Sequence, residues 1–519
     1  MHKRDMLRLT VLGAAVAVAG TAWGAPPPAP APKPPAKVMV FATSDEHGWL
    51  EPLTQKGTEA YQGGMAYFMG QLLTREGYRP KDALLLSVGD MWTGPYENTV
   101  LQGRPMVQVM NAMGYDAAAI GNHDFDFGQD VLARRAQEAG FPLLSANLYQ
   151  KGTRKPPPYA KPFAIVEANG VKVGLVGLTT VDTVYTTDAR NTAGLDFGPY
   201  LDALRVAVPA ARAAGAQVIM VMSHADLAEM RPLAGALRAL GVNAVLCGHR
   251  HQGKLEVDDG AAGAADDVIF CNPGPYARSY CRLDLTWDGG TYALQAQKSS
   301  IELVAGNVAH PTAPPHEGLM GVAAEARSQA QAKGAELLAN VPAGLHRSEP
   351  IHTMGYLVVD AWLEALPYAD FAFSNQGGFR QDIEGGPVLL RDLVGAMPFD
   401  NYLLVVELTG EQMKEVLENL QTLPAGMTVD VTVDESGKRT VLAMTDRKGQ
   451  PVAKDRTYRV VINDFMYRGG DRYRFKEWDP DPEETAIHWR EPVVRLLRTA
   501  TKANKPVPLA TTPRFRVRR

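Results

Sequence analysis

Five short segments place acidic, histidine and amide side chains directly after apolar runs. Asp45 and His47 lie in Thr43-Ser44-Asp45-Glu46-His47-Gly48, Asp90 in Gly89-Asp90, and Asn122 in Gly121-Asn122-His123-Asp124-Phe125-Asp126. His224 follows Ser223, while His249 and His251 stand in Gly248-His249-Arg250-His251. Singly, each would pass as a turn or helix cap, the usual place of Asp, Asn and Gly. As an ordered set, each member behind a strand-like run, they place seven metal-capable side chains where α/β folds build their sites. Carboxylate, imidazole and amide ligands suit two divalent ions such as Zn, Mn, Co or Fe, rather than the all-oxygen cages of Ca or Mg. Two ions about 3.5–4 Å apart can share a carboxylate, bind a phosphoryl oxygen and acidify an attacking water. Phosphate esters, among the slowest bonds to hydrolyse unaided, require that charge neutralisation.

The positioning elements are short apolar runs that read as buried strands: Val38 to Phe41, Ala83 to Val88, Val173 to Val176, Gln217 to Met222 and Ala244 to Cys247. Amphipathic stretches at Pro105 to Met113, Val131 to Ala139 and Leu201 to Ala214 alternate with them, the pattern of a layered α/β domain. Asn169-Gly170 between Phe163–Val166 and Val171–Val176 signals a hairpin, as does Asp288-Gly289-Gly290 between Cys281–Thr286 and Tyr292–Lys298. The Ala-rich segment Gly318 to Ala339 has helical propensity and reads as a linker helix. Beyond it, helices are expected near Tyr356–Ala365 and Gly410–Leu420, and strands at Phe371–Ser374, Tyr402–Leu408 and Tyr458–Asn463. Arg514 to Arg519 reads as a solvated basic tail.

At 519 residues the chain exceeds what one core usually organises, and 45% hydrophobic against 21% charged residues is ordinary globular composition. A net charge of −4 argues against capture of a nucleic acid polymer. His2-Lys3-Arg4, the apolar stretch Leu9–Ala22 and Ala22-Trp23-Gly24-Ala25 follow the order of a secretory signal, too short for the ~20 residues of a spanning helix. Cleavage after residue 24 would remove Lys3, Arg4, Arg8 and Asp5, shifting the charge to −6 and leaving a periplasmic or secreted protein without a stable membrane anchor. Residues 25–36 carry seven prolines and read as a tether. The expected organisation is leader 1–24, tether 25–36, dimetal domain 37–309, linker helix 310–340 and a second domain over 341–519. Three cysteines are too few for a disulfide framework; whether Cys271 and Cys281 pair is left to geometry.

The metal-capable segments resemble the metallophosphoesterases of the 5′-nucleotidase family, bacterial periplasmic nucleotidases and UDP-sugar hydrolases included. The resemblance implies an α/β fold: a calcineurin-like β-sandwich flanked by helices, followed by an α+β substrate domain. It implies that Asp45, His47 and His251 hold one ion, Asn122, His224 and His249 the other, and that Asp90 bridges. His123 hydrogen-bonded to Asp126 would be the dyad that stabilises the transition state, its tautomer fixed by the carboxylate. Asp124 stands where the family usually has Glu, and is not expected to bind metal. Gly63-Gly64-Met65 and Asn111 to Ala117 also resemble family segments, the latter as packing behind the Asn122 loop.

In the second domain, Ser374-Asn375-Gln376-Gly377-Gly378-Phe379-Arg380 joins a close-approach Gly pair to an Arg able to grip phosphate. With Pro398-Phe399-Asp400-Asn401, Asn463-Asp464-Phe465 and Gly469-Gly470-Asp471, it resembles the family's substrate domain. The resemblance implies that Phe399 and Phe465 sandwich a base, Arg380 meets phosphate, Asn375 and Asn401 the base and Asp471 the ribose, with Gly378 in the close-approach pair. Stacking tolerates any base, so broad nucleotide use follows. Arg347 is offset from the position of a further family phosphate ligand, Arg472 replaces a common Gly and could narrow the site or meet phosphate, and Thr93-Gly94-Pro95 departs from the usual loop. The reading is an exported 5′-nucleotidase. Its rivals are a UDP-sugar hydrolase, a 2′,3′-cyclic phosphodiesterase, a thiosulfohydrolase-like enzyme disfavoured by the aromatic pair, and a nucleotide-binding protein without catalysis.

Overall fold

Along the N-terminal strands, successive residues serve two buried faces. In Ala36–Thr43, Val38, Val40 and Ala42 enter one core while Phe41 enters another; in Val171–Thr179, Val173 and Leu175 share that first core while Val176 and Leu178 face away. A strand buried on both faces needs helices on its outer side. The computed structural model describes residues 36–518 apart from 55–58, 243, 260–266, 288–291, 295–298 and 349–350. The leader, the tether before Ala36 and the Asp288-Gly289-Gly290 turn lie outside the described residues.

Two mixed sheets form the sandwich. In one, Ala36–Thr43, Ala83–Ser87, Ala117–Ala119 and Leu143–Leu144 run parallel, with Ser279–Trp287 antiparallel on the far side of the first. In the other, Val171–Thr179, Val218–His224, Ala244–Cys247 and Val268–Asn272 run parallel, flanked by Phe163–Ala168 and Lys254–Asp258. Met65–Thr74 and Arg104–Met113 cover the first sheet, and Tyr200–Ala213 covers the second. The expected hairpin turns at Asn169 and Gly170, both with positive φ as a tight two-residue turn requires. Cys271 and Cys281, ten residues apart, do pair, one from each sheet, so the bridge crosses the sandwich core; Cys247 is buried and free.

The Ala-rich segment is helical only over Glu317–Gly334, packing Leu319, Ala323 and Ala326 into the core of the first half. Leu337–Val341, expected as its last turns, pairs instead as a strand with Gly386–Leu389, because tertiary pairing overrides propensity there. The second half is a five-stranded sheet in the order Thr422–Ala425, Phe371–Asn375, Thr457–Asn463, Tyr402–Thr409, Glu483–His488. Thr353–Ala365 and Glu491–Lys502 pack on one face, and Gly410–Glu418 with a second, three-stranded sheet on the other. The basic tail is corrected: Phe515–Val517 is a strand beside Met427–Val433, and Arg516 and Arg518 pair with Asp430. The period-two signal was too short to see among four arginines. Among the described residues, no helix is long and apolar enough to cross a membrane.

Candidate functional site

Each parallel strand of the sandwich ends at one rim, and the loops that leave them carry the predicted residues. Asp45 and His47 follow Thr43, Asp90 follows Ser87, Asn122 follows Ala119, His224 closes its strand, and His249 and His251 follow Cys247. The loop after the first strand remains zipped to its neighbour: Asp45 N donates to Gly89 O (2.9 Å), His47 N to Asp90 O (2.9 Å) and Gly48 N to Met91 O (2.8 Å). This ladder holds conformations the chain would otherwise avoid. Asp45, His47, Asp90, His249 and His251, five of the seven expected ligands, have φ between 45° and 73°. Non-glycine residues there cost on the order of 1–3 kcal/mol each, strain that collects at functional sites.

The ligand atoms fall into two groups, Asp45, His47 and His251 in one and Asp90, His224 and His249 in the other, with the atoms of each within 4.8 Å of one another. Asp90 Oδ2 is 3.1 Å from His224 Nε2 and 3.8 Å from His47 Nε2, so it reaches both groups. Asn122 Oδ1 is 3.0 Å from His249 Nδ1. Two carbonyls fix the imidazoles: His47 Nδ1 donates to Thr93 O (2.9 Å) and His224 Nδ1 to Val88 O (2.7 Å). A carbonyl can only accept, so Nδ1 carries a proton and Nε2 is the nitrogen aimed at the neighbouring ligands. His224 Nε2 is buried and makes no hydrogen bond of acceptable geometry. His47 Nε2 faces His251 Nε2 at 3.2 Å. Burial opposes a charge on His224, yet Asp90 raises its pKa to about 10; Asp90, despite its own burial, is held well below the usual carboxylate range by His224 and His123. Burial, with Arg380 beside it, holds His47 well below the usual imidazole range, and burial with His224 nearby lowers His249 to about 3, so both stay neutral as ligands must; the donor set fits two borderline divalent ions.

His123 and Asp126 form the expected pair, Nδ1 to Oδ2 at 2.9 Å, and His123 N donates to Asp90 Oδ1 (2.7 Å). Glu46, between two expected ligands, points the other way. It meets Thr43 Oγ1 and Ser87 Oγ in the core, where burial raises its pKa to about 8. Asp124 also stands outside both groups. Its carboxylate accepts the N–H groups of Asp90 (3.1 Å), Met91 (2.8 Å) and Gly121 (2.8 Å), fixing the Asp90 and Asn122 loops to each other. The sequence marks Asp124 as a departure from Glu that does not bind metal, and gives no sign of this bracing role.

Gly121 lies so close to Asp90 that an added Cβ would stand 2.2 Å from Oδ1 and 2.5 Å from the backbone N. Gly121→Ala is therefore expected to displace Asp90, destabilising the fold by about 1–3 kcal/mol, as overpacking does, and lowering bound metal. A thermal midpoint and metal content both equal to the parent's would show that the loop yields freely.

The second half closes over this rim, and a cavity of about 520 Å³ lies between them. Asp90, Asn122, His123, Asp126, His249 and His251 line it from one side. All seven predicted substrate residues, Asn375, Gly378, Arg380, Phe399, Asn401, Phe465 and Asp471, line it from the other. Asp45, His47 and His224 lie deeper and do not line it. Arg380 Nη2 reaches within 3.1 Å of His47 Nε2, and the Phe399 ring stacks on His123 at 5.7 Å. Asp471 accepts from Asn375 Nδ2 (2.8 Å), and burial raises its pKa. Gly470 makes room for Phe465, whose ring an added Cβ would meet at 2.4 Å.

Two arginines weighed as departures from the family pattern stand off the cavity. Arg472 does not line the cavity: its Nη2 bonds both oxygens of Asp182 (2.7 and 2.9 Å), and its guanidinium lies over Tyr185. Arg347 is likewise held away from it, on Asp382 and Phe379 O. Residues 186–191 of the first half, which line the cavity through Thr186, Thr187, Asp188, Arg190 and Asn191, were missed. They lie in a polar loop with no motif, and the partners of Asp188 and Arg190 sit far along the chain in the second half. Asp188 and Arg190 join Asp464 and Arg468 in a closed ring of alternating charge, with N–O distances of 2.6, 3.0, 2.7 and 3.4 Å.

The 5′-nucleotidase C-terminal domain family matches residues 331–477. Over 531 aligned residues the chain is 25% identical to a 5′-nucleotidase of Vibrio cholerae serotype O1, covering 91% of this chain and 92% of that one. The chain thus carries the C-terminal domain of the 5′-nucleotidases and is similar to one of them along nearly its whole length. The solved structures that share its fold include two from Thermus thermophilus. A 5′-nucleotidase precursor from Thermus thermophilus aligns with a TM-score of 0.77 at 24% identity, over 93% of this chain and 99% of that one. A sulfate thiohydrolase, SoxB, also from Thermus thermophilus, aligns with a TM-score of 0.73 at 19% identity, over 93% and 97%. Those two likenesses speak to architecture, and the chemistry rests on the chain's own residues.

Proposed function

We propose that the protein hydrolyses phosphate esters of nucleotides, releasing nucleoside and inorganic phosphate. The observation that carries this reading is convergence: Arg380, Phe399, Phe465, Asn375, Asn401 and Asp471 share one cavity with Asp90 and His123, although the two sets come from opposite halves of the chain. The Vibrio cholerae protein named a 5′-nucleotidase aligns with this chain over 92% of its own length.

In this proposal Asp45, His47 and His251 hold one divalent ion, Asn122, His224 and His249 the other, and Asp90 is shared. Such a pair, when bound, supplies Lewis acidity to the phosphoryl group and acidifies water. The chain supplies the rest. Arg380, beside His47, meets the phosphate with a planar fork of donors. His123, its Nδ1 held by Asp126, offers Nε2 to oxygens that gain charge in the transition state. The rings of Phe399 and Phe465 take the base between them, Asn375 and Asn401 meet its edge, and Asp471 the ribose. The aromatic pair favours a nucleotide over the small sulfur substrates that the shared fold alone would allow. Residues 1–24 are proposed to direct export to the periplasm or medium, and residues 37–309, 310–340 and 341–519 to be the dimetal domain, linker and nucleotide domain.

Base–aromatic stacking is worth about 1–3 kcal/mol per base. Phe399→Ala and Phe465→Ala are therefore each expected to lower kcat/KM for AMP by roughly 5- to 150-fold. Hydrolysis of a small aryl phosphate should fall far less. The measurement is the ratio of the two efficiencies, and a ratio unchanged in both variants would make the rings core residues and remove nucleotide as the intended substrate.

A further inference from the structure

Phe399 sits on a turn that has no regular structure of its own, yet the backbone carbonyls that could let it swing are tied. Arg490 Nη1 donates to the carbonyls of Met397 and Phe399, the latter at 2.8 Å, and its Nη2 to Asp400 Oδ1 at 2.7 Å. Trp489 Nε1 donates to the same Phe399 carbonyl at 2.7 Å, and Trp489 N to Asn401 O at 3.0 Å. The Phe399 carbonyl thus receives two side-chain donors from consecutive residues. Those residues stand at the junction of the strand Glu483–His488 and the helix Glu491–Lys502, both anchored in the core of the second half.

The same indole supports the other substrate loop. Trp489 is fully buried, and its ring lies where a Cβ on Gly378 would approach to 3.1 Å, while Phe379 stacks on it at 6.2 Å with planes 25° apart. Trp362 fixes it from below, donating Nε1 to Trp489 O at 2.8 Å. Neither Trp489 nor Arg490 lines the cavity. We infer that Trp489 and Arg490 are positioning residues that hold the Phe399 ring, and the Gly377-Gly378 loop beside it, in register for the substrate's aromatic base. The inference rests on the nucleotide reading above. It adds that affinity for the base is set by residues that never touch it. Lysine cannot reproduce the role, because one ammonium cannot meet two carbonyls and a carboxylate in the plane of a guanidinium.

The test measures AMP and aryl phosphate hydrolysis in Arg490→Met, Arg490→Lys and Trp489→Phe, which keeps the ring and deletes the donor, alone and combined with Phe399→Ala. Losing charged hydrogen bonds to the turn should raise KM for AMP roughly 5- to 30-fold in Arg490→Met, with Arg490→Lys and Trp489→Phe between it and the parent. The kcat for aryl phosphate should stay within about twofold. Because Arg490 acts through the ring, Arg490→Met should cost little further once Phe399 is Ala. An equal loss in the Phe399→Ala background, or a parallel fall in aryl phosphate turnover, would overturn the inference and leave Arg490 a structural residue. If Phe399→Ala shifts the AMP to aryl phosphate ratio while none of these variants does, the positioning role fails and the nucleotide reading stands. If Phe399→Ala itself leaves the ratio unchanged, the inference fails at its premise, and the nucleotide reading falls with it when Phe465→Ala is silent as well.

Discussion

Exhaustive chelation is expected to bring hydrolysis of AMP and of a small aryl phosphate alike to background, and Mn, Co or Zn to restore both. Asp90 reaches both acceptor-rich groups, so Asp90→Ala should remove affinity at both points at once. Loss of about 10²–10³-fold in turnover is the least to be expected, since a single preorganised charge partner already accounts for that much in other sites. Metal content measured on the purified protein separates the causes, because activity and bound metal should fall together. Full turnover in metal-free protein, or an Asp90→Ala variant that keeps both metal and rate, would end the dimetal reading.

The second large effect is expected at His123, with the opposite signature. His123 shares the cavity with the expected ligands, and its Nδ1 is committed to Asp126 at 2.9 Å. His123→Ala should lower kcat by about 10²–10⁴-fold, the range for a positioned proton donor or acceptor, while metal content stays near that of the parent. Asp126→Asn should cost less, because it frees the tautomer without deleting the ring. Metal loss in His123→Ala comparable to that in Asp90→Ala would make His123 a ligand and redraw the site.

The rim of the site was legible from sequence because its chemistry is local. Each ligand follows a short apolar run, and strand ends of a parallel sheet necessarily gather at one edge. The substrate loops were legible through resemblance, and all seven named residues do line the cavity. What could not be read is what depends on long-range partners. Asp124 looks like one more acidic residue until three N–H groups from two loops are seen to converge on it. Arg472 looks able to narrow the site or meet phosphate until Asp182 is found opposite it, and Phe515–Val517 looks like solvent-exposed tail until Met427–Val433 supplies an edge to pair with. The left-handed backbone of five expected ligands leaves no trace in residue type, because Asp and His rather than Gly occupy it.

The bridge between Cys271 and Cys281 joins the two sheets, and the short reversal it spans contains Tyr276. Tyr276 N donates to Asp45 O at 2.8 Å, and its ring packs 5.8 Å from that of His47 and 5.5 Å from that of His251. Closing so small a loop constrains the unfolded chain by only about 3 kcal/mol; the larger consequence is one of maturation. The segment that braces one half of the metal rim receives its covalent fastening only where thiols are oxidised, so a chain made in a reducing compartment carries the same ligands on a looser frame. Oxidation of this pair is then a step in building the catalyst, and the destination of the polypeptide becomes one of the ingredients of its active site.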